Sequence, residues 1–215
     1  GGAELISISI TPWYLTTGQA AIFQGGPTVT DIFFDVYEAL DPGCGIVAED
    51  RHTGRLLGSC FYHPRPHHVS LGIMNVHPNH FGAGAGKALL EPIIAIARDA
   101  KQPLRLTQSA LNLDSFSLYN RAGFVPRHAY QDMFLEVPET GLGEPVTGQA
   151  CVRPARDDDV PEIARLEMDI SHIPREKDYR YALDNQDGHW RIWVYENEQP
   201  GIDGFLISCG QPVLH

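Results

Sequence analysis

The sequence predicts an α/β (α+β) fold, and three observations support this prediction. Strand-like and helix-like segments alternate over the first 138 residues, a glycine- and proline-rich segment interrupts them, and a second alternation then begins. We therefore expect a domain at residues 1–138, a linker at 139–150 and a partial second domain at 151–215.

The first predicted elements are a strand and a helix. Isoleucine and serine alternate over residues 5–10, which is typical of a strand. Apolar residues then recur at helical spacing from Asp31 to Leu40, and the sequence Asp-Pro-Gly at 41–43 ends that helix.

Three strands follow the helix. Residues 45–49 and 56–62 are predicted to form a strand pair joined by a turn at 52–54, because a glycine closes this polar turn. Residues 69–77 form the third predicted strand, and a glycine-rich segment comes directly after it.

The first domain ends with two helices and two strands in the prediction. Apolar residues from Leu89 to Ala97 indicate a helix that packs on a core. A strand begins at 104–106, a short helix covers 114–122, and a last strand covers 133–137.

The second unit repeats part of this pattern. A short strand at 152–154 precedes a helix with apolar spacing from Val160 to Ile170, and residues 191–196 and 202–208 form a strand pair.

A weak internal repeat connects the two units. Glu49 precedes Gly58 by nine residues, and Glu196 precedes Gly204 by eight. The second copy stops at His215, where its next strand would begin, so we expect an incomplete copy.

Composition excludes several classes of protein. The formal charge is −11, which disfavours sequence-independent binding of nucleic acid and favours cationic partners such as amines. No run of about 20 apolar residues predicts a membrane span, and the first residues lack the layout of a signal peptide. No cysteine lies in a Cys-x-x-Cys pair, so we expect reduced thiols in a cytoplasmic protein: Cys44, Cys60, Cys151 and Cys209.

The strongest motif is a glycine-rich loop at residues 81–87, between a predicted strand and a predicted helix. Glycines let successive amides point into one concavity, and a helix N-terminus adds partial positive charge, so the loop suits a pyrophosphate. A Walker A loop is excluded because Phe81 and Ala88 stand where it needs Gly and Ser or Thr. A dinucleotide-binding fingerprint is excluded because its third glycine is missing.

A second motif covers residues 112–124. Asn112 or Asp114 can cap a short helix, and Gly123 suits the left-handed position at its end. Ser115 and Tyr119 lie four residues apart and share one helix face.

Together the two motifs resemble the GNAT superfamily of N-acetyltransferases, over about residues 5–137. The segment 76–90 is similar to its Val-His-Pro…Gly-x-Gly-x-Gly-x-x-Leu-Leu loop, and residues 112–124 are similar to its Asn…Leu-Tyr-x-x-x-Gly-Phe helix. The resemblance implies a bent mixed sheet flanked by helices, with acetyl-CoA where the strand ending at His77 splays from the next. From residue 151 the chain resembles the opening of another GNAT domain without these motifs, which implies a tandem arrangement.

The resemblance also implies which residues bind acetyl-CoA. Backbone groups of Met74, Val76 and His77 would pair with the pantetheine arm, and Asn112 and Ser115 would flank the cofactor. Tyr119 would point at the thioester sulfur. The amides of the loop would hold the pyrophosphate: Phe81, Gly82, Ala83, Gly84, Ala85, Gly86 and Lys87. The family usually has Arg or Gln where this chain has Phe81.

The implied reaction is direct transfer of an acetyl group to a small-molecule or peptide amine. The base that neutralises the amine stays open among Glu49, His67, His68 and His77. Tyr119 would assist the leaving thiolate. His63, His67 and His68 resemble a metal cluster but lack matching Cys or carboxylate spacing, so we expect a solvated loop and no metal.

Two other functions stay open. The chain is a non-catalytic acyl-CoA-binding or sensing module if no amine site forms beside the loop. A phosphate-loop nucleotide hydrolase is disfavoured by the two missing Walker A residues. An unfinished second sheet would also expose an edge strand, which would allow self-association.

Overall fold

Two β-sheets organise the chain in the computed structural model, which describes residues 2–16, 18, 26–131, 133, 135–143, 147–196 and 201–211. The first sheet contains four strands and the second contains three. None of the helices in these described ranges has the length and apolar character needed to cross a membrane.

The first sheet is mixed, in the order β1-β2-β3-β4. Strands β1 (Gly45–Glu49), β2 (Leu56–Pro64) and β3 (Val69–Val76) are antiparallel neighbours. The short β4 (Leu104–Arg105) runs parallel to the start of β3. The mixed sheet that the resemblance implies is therefore confirmed.

Helices cover both faces of this sheet. On one face, α1 (Gly2–Thr16) and α2 (Asp31–Leu40) pack through Ile6 and Phe33 with Ile73 of β3. On the other face lie α3 (Ala85–Asp99) and α4 (Leu113–Arg121). Their buried side chains share one core with Cys60 and Leu71 of the sheet: Leu89, Leu90, Ile93, Ala97 and Tyr119.

The close approach of α3 to the sheet requires a glycine at position 58. A Cβ atom added there would lie 2.8 Å from the Asn75 carbonyl oxygen and 2.9 Å from Leu89 Cδ1. Both distances are shorter than ordinary van der Waals contact, so a side chain at this position would push the helix off the strand.

The second sheet has its own core. Strands β5 (Val152–Pro154), β6 (Trp190–Glu196) and β7 (Ile202–Cys209) pair antiparallel. Helices α5 (Val160–Ser171) and α6 (Glu176–Asp184) cover them. The buried side chains come from both layers: Val160, Ile163, Ala164, Tyr179, Ala182, Ile192, Val194 and Ile202.

The two strand pairs that suggested a repeat share an irregularity. In the first sheet the register shifts between Ala48, which faces Gly58, and Glu49. In the second sheet it shifts between Tyr195, which faces Gly204, and Glu196. This shared bulge supports the repeat, which stays a prediction together with the domain boundaries.

An ionic cluster, in which Asp41 and Arg65 are buried, connects α6 to the first sheet. Arg65, at the β2–β3 turn, donates to both Asp41 carboxylate oxygens at 3.0 and 2.9 Å. Its guanidinium also forms an ion pair with Asp178 of α6, and Lys177 of α6 donates to Asp41 at 2.7 Å. We call Asp41, Arg65, Lys177 and Asp178 the junction cluster.

The strand predicted at residues 5–10 is wrong, because these residues lie inside helix α1. Leu5, Ile6 and Ser9 are the buried positions, and this i, i+1, i+4 spacing belongs to a helix face. The Ser9 hydroxyl donates to the Ile6 carbonyl at 3.1 Å, which satisfies a polar side chain inside the helix. Six residues were too short a window to separate the two periods.

The strand predicted at residues 133–137 is also wrong for the residues that the structure describes there. Met133, Leu135 and Val137 lie outside any strand and are largely exposed. The last strand of the sheet, β4, is only two residues long, so the edge that it offers for pairing is short. Positions 132 and 134 lie outside the described residues.

Acid is expected to destabilise the fold through His68. This side chain is 1% exposed, and neither ring nitrogen has a hydrogen-bond partner among the described residues. Burial, together with the charges of Arg105, Arg65 and Arg175, lowers its pKa to about 4. An unfolded imidazole titrates near 6.5, so the unfolded state takes up the proton first as the pH falls.

The contribution of neutral His68 to the free energy of unfolding is therefore fully present above pH 6.5 and is lost as the pH falls toward 4. We expect a loss of roughly 2 kcal/mol in unfolding free energy between pH 7 and pH 5, measured by urea denaturation. His68→Leu should flatten this dependence, whereas His67→Leu, at an exposed position, should keep the wild-type slope. Equal slopes in both variants would contradict the assignment.

Candidate active site

The split between β3 and β4 opens toward the glycine-rich loop. These parallel strands pair only at Val69–Leu104 and Ser70–Arg105. Beyond Ser70, none of the described residues pairs with β3 on that side, so the main-chain groups of this edge are available to a ligand. The open part of β3 leads directly to the loop.

The amides at the N-terminus of α3 are open. The first helical bond runs from the Ala88 amide to the Gly84 carbonyl at 3.0 Å, so the amides of residues 85–87 precede the helical ladder. No described side chain caps this helix. Within the preceding turn, the amides of Phe81 and Ala83 bond to the carbonyls of Pro78 and His80 at 3.2 and 3.3 Å. The open donors suit an anion.

The glycines of the loop have different physical roles. Gly82 and Gly84 have φ angles of 76° and 89°, where a side chain would be strained. Gly86 has ordinary helical geometry, but a Cβ atom there would lie 3.3 Å from Leu118 of α4. The first two shape the turn, and the third lets α4 pack against the start of α3.

Helix α4 begins as the motif predicts. Asn112 is its N-cap, and the side-chain oxygen accepts from the Ser115 amide at 3.1 Å. The Ser115 hydroxyl donates to Gln108 Oε1 at 2.8 Å. Both predicted cofactor neighbours therefore make local hydrogen bonds that order the start of this helix.

Tyr119 lies in the core under the sheet. It is 8% exposed, and its ring contacts Phe124 at a centroid distance of 5.6 Å. Burial, and to a lesser extent the nearby Cys60 thiol, raises the pKa of Tyr119 above its ordinary value. The phenol therefore stays neutral at physiological pH and can act as a hydrogen-bond donor.

Met74, Val76 and His77, the three residues predicted to contact the pantetheine arm, direct their main-chain groups to different sides of β3. The His77 amide donates to the Leu57 carbonyl of β2 at 2.7 Å, so it is not free for a cofactor. Along a strand in an antiparallel pair, the N–H and C=O groups of successive residues point alternately toward the partner strand and away from it. The N–H and C=O groups of Met74 and Val76 therefore point away from β2, toward the open edge of β3. The contact of the main-chain groups of His77 with a pantetheine arm stays a prediction, as do those of Met74 and Val76.

The four candidate bases lie at two ends of the sheet. Glu49 ends β1 and faces Leu56, whereas His77 follows β3, so two strand spacings, about 10 Å, separate them near the loop. The ring of His77 accepts from the Asn79 amide at 3.2 Å. His67 and His68 lie at the opposite end, in the β2–β3 turn, where His67 is exposed and His68 is buried.

The solvated loop expected around residues 63–68 is wrong for two of its three histidines, because His63 and His68 are buried. No sequence pattern connects His63 with Asp41, which lies 22 residues earlier and follows the last residue of α2. In the structure, His63 Nδ1 and Asp41 Oδ2 are 2.7 Å apart. Among the described residues, no cluster of His, Cys, Asp or Glu could hold a metal ion.

A separate cavity of about 500 Å³ lies between the start of α2 and the second sheet. Its lining includes Asp31, Asp35, Asp187 and His189, and no residue of the glycine-rich loop belongs to it. The cavity is thus distinct from the split beside β3.

Comparisons with known proteins agree with this geometry. A family model described as "Acetyltransferase (GNAT) family" matches residues 9–124. The crystal structure of a candidate acetyltransferase from Pyrococcus horikoshii has a similar fold, with a TM-score of 0.64 and 17% identity. That likeness covers 95% of this chain and 63% of the other.

A curated relative matches a smaller region. The UPF0157 protein YqkA of Bacillus subtilis (strain 168) is 28% identical over 121 residues, which are 56% of this chain. The chain spans only 34% of that relative's length.

Proposed function

The chain belongs to the acetyltransferase (GNAT) family, and on that premise we propose that it transfers the acetyl group of acetyl-CoA to a primary amine of a small molecule or peptide. Membership of the family implies the use of acetyl-CoA. The acceptor, the site residues and the reaction itself belong to the proposal.

One observation supports the proposal most strongly: the glycine-rich loop connects the open edge of β3 to the uncapped N-terminus of α3. The amides of residues 85–87 and the turn before them offer several donors to a diphosphate. The main-chain groups of Met74 and Val76 then continue along the same edge, where an amide-containing arm can pair as an added strand would. Acetyl-CoA has both features in this order.

The acceptor must reach the thioester as a neutral amine. An alkylamine has a pKa of about 10.4, so its deprotonation at pH 7 costs about 4.6 kcal/mol. A positioned base lowers this barrier, and the strongly negative chain favours the approach of a cationic amine.

Replacement of Tyr119 by phenylalanine is expected to lower turnover about 100-fold and to leave the Kd for acetyl-CoA within twofold. The hydroxyl would donate a hydrogen bond to the leaving thiolate, and one donor of this kind is typically worth such a factor. Its raised pKa argues against complete proton transfer, because a thiol near 8.5 is the stronger acid. Single-turnover kinetics and calorimetry measure the two quantities, and unchanged turnover would remove Tyr119 from the mechanism.

Release of free thiol from acetyl-CoA in the presence of a panel of primary amines tests the function directly. We expect amine-dependent release with formation of the acetylated amine. Binding of acetyl-CoA without release for any amine would favour the non-catalytic module instead. Binding of ATP in place of acetyl-CoA would favour the nucleotide hydrolase.

A further inference from the structure

We propose that His63, oriented by Asp41, is the general base that takes the proton from the attacking amine. This inference rests on the proposed acetyltransferase function. It differs from the bases expected from the sequence, which are Glu49, His67, His68 and His77. His63 lies near the end of β2, where it faces Ser70, and its ring reaches over Gly72 at the start of the open part of β3.

An aspartate holds the imidazole of His63. Nδ1 lies 2.7 Å from Asp41 Oδ2, and Tyr37 packs edge-on against the ring at a centroid distance of 4.8 Å. Asp41 is an ionised acceptor, so Nδ1 carries the hydrogen and Nε2 keeps its lone pair. A carboxylate that fixes the tautomer in this way is the arrangement that prepares histidine as a base.

A glycine lets the ring reach the open edge. Position 72 of β3 has no side chain, and a Cβ atom added there would lie 2.8 Å from His63 Nε2. The imidazole therefore extends from β2 across β3, toward the side on which β4 has already diverged. Nε2 makes no hydrogen bond within the described part of the chain, and 11% of the His63 side-chain surface stays exposed.

The position along β3 suits the thioester. The diphosphate and the thioester stand at opposite ends of the pantetheine arm. If the diphosphate binds at residues 81–87, the pantetheine arm runs along the edge of β3 from its C-terminal end toward its N-terminal end. The thioester then lies beyond Val76, near Gly72. Five residues of strand separate Gly72 from His77, a distance of about 17 Å.

His63 and Tyr119 lie on opposite faces of the sheet. His63 packs with Tyr37 on the α2 face, whereas Tyr119 packs with Cys60 and Leu71 on the α3 face. A thioester in the split between them would meet a base on one side and a hydroxyl donor on the other. That separation matches a reaction in which the amine enters and the thiolate leaves on different sides.

The charges around His63 keep it neutral and ready to accept a proton. Burial lowers its pKa below the ordinary value, and Arg65 adds to this, while Asp41 and Asp178 oppose it. The groups around it are Tyr37 of α2, Asp41 at the end of that helix and Arg65 of the turn. Lys177 and Asp178 of α6 pair with Asp41 and Arg65. The second unit thereby supports the aspartate that holds the base.

The proposed step balances as follows. The ammonium group gives one proton to His63 Nε2 and becomes a neutral amine. The nitrogen lone pair forms the C–N bond with the thioester carbonyl carbon, and the C–S bond breaks with its electron pair on sulfur. The second amine proton goes to the thiolate, and His63 returns its proton to water. The products are the amide, the free thiol of coenzyme A and one released proton.

The test compares His63→Asn with His172→Asn at pH 7. Asparagine retains a donor for Asp41 but lacks Nε2. His172 is an exposed histidine at the end of α5, and its φ of 57° is one that asparagine tolerates. The acceptors are a panel of alkylamines, protonated at pH 7, and of arylamines, already neutral there. We expect His63→Asn to lower kcat/KM at least 100-fold for the alkylamines and less than fivefold for the arylamines, with acetyl-CoA affinity unchanged. His172→Asn should match the wild type.

An equal loss for both amine classes, or no loss for alkylamines, would overturn the assignment. If His63→Asn does not fold, the pH profile of the wild type decides. With alkylamines, kcat/KM should fall as the pH drops below 6.5, because His63 becomes protonated, and this fall should be absent with arylamines. Profiles that do not differ in this way would contradict the assignment of His63 as the base. Failure of acetyl-CoA to bind the wild type at all would instead refute the proposed function.

Discussion

Replacement of Gly84 by aspartate is expected to weaken the binding of coenzyme A at least 100-fold. Gly84 is the N-cap of α3, at the mouth of the open amides, and no described side chain approaches it within 4 Å. A carboxylate there would face the diphosphate, and two unit charges 4 Å apart repel by about 4 kcal/mol at an effective dielectric constant of 20. Solvent screening leaves about 3 kcal/mol, which is roughly 100-fold.

Gly84→Asn is the matched control. Asparagine has the same shape as aspartate, tolerates the same left-handed backbone at φ 89°, and adds no charge. We expect its Kd for coenzyme A to stay within tenfold of the wild type in calorimetric titrations. Equal affinities of the two variants would show that the diphosphate does not bind at this helix.

Replacement of Arg65 by methionine is expected to lower the free energy of unfolding by about 3–5 kcal/mol. The guanidinium is 4% exposed and is shared between Asp41 and Asp178. Its removal takes the ion partner from Asp178 and leaves the buried Asp41 with Lys177 and His63 alone, and breaking a buried ion pair by removing one partner has a penalty of this size. Chemical denaturation at pH 7 measures the loss.

Arg98→Met provides the comparison. Arg98 pairs with Asp99 at 3.6 Å, but both side chains are more than 70% exposed, so this variant should lose less than about 0.5 kcal/mol. A similar loss of unfolding free energy in both variants would mean that the junction cluster stabilises the fold no more than an exposed ion pair does.

Local signals made the glycine-rich loop and the start of α4 predictable. The glycine spacing of residues 82–86 and the capping residue Asn112 act over a few positions, and both features have the geometry that the sequence implies. The strands of the first sheet and helix α2 were predictable for the same reason, since their apolar periods are long and their turns contain glycine or proline.

Non-local contacts made the rest unpredictable. The pairing of His63 with Asp41 depends on the end of α2 lying beside the end of β2, and no spacing in the sequence encodes it. The role of Gly72 appears only once the ring of His63 lies across β3. Helix α1 was mistaken for a strand because tertiary packing decides between two periods that fit the same six residues.

A crystal structure of the protein with acetyl-CoA tests the central claim most directly. We expect the diphosphate on the amides at the start of α3 and the pantetheine arm along β3 from Val76 toward Gly72. A diphosphate bound elsewhere, for example in the cavity beside Asp31 and Asp187, would contradict the account, as would a saturated crystal in which the split holds no ligand.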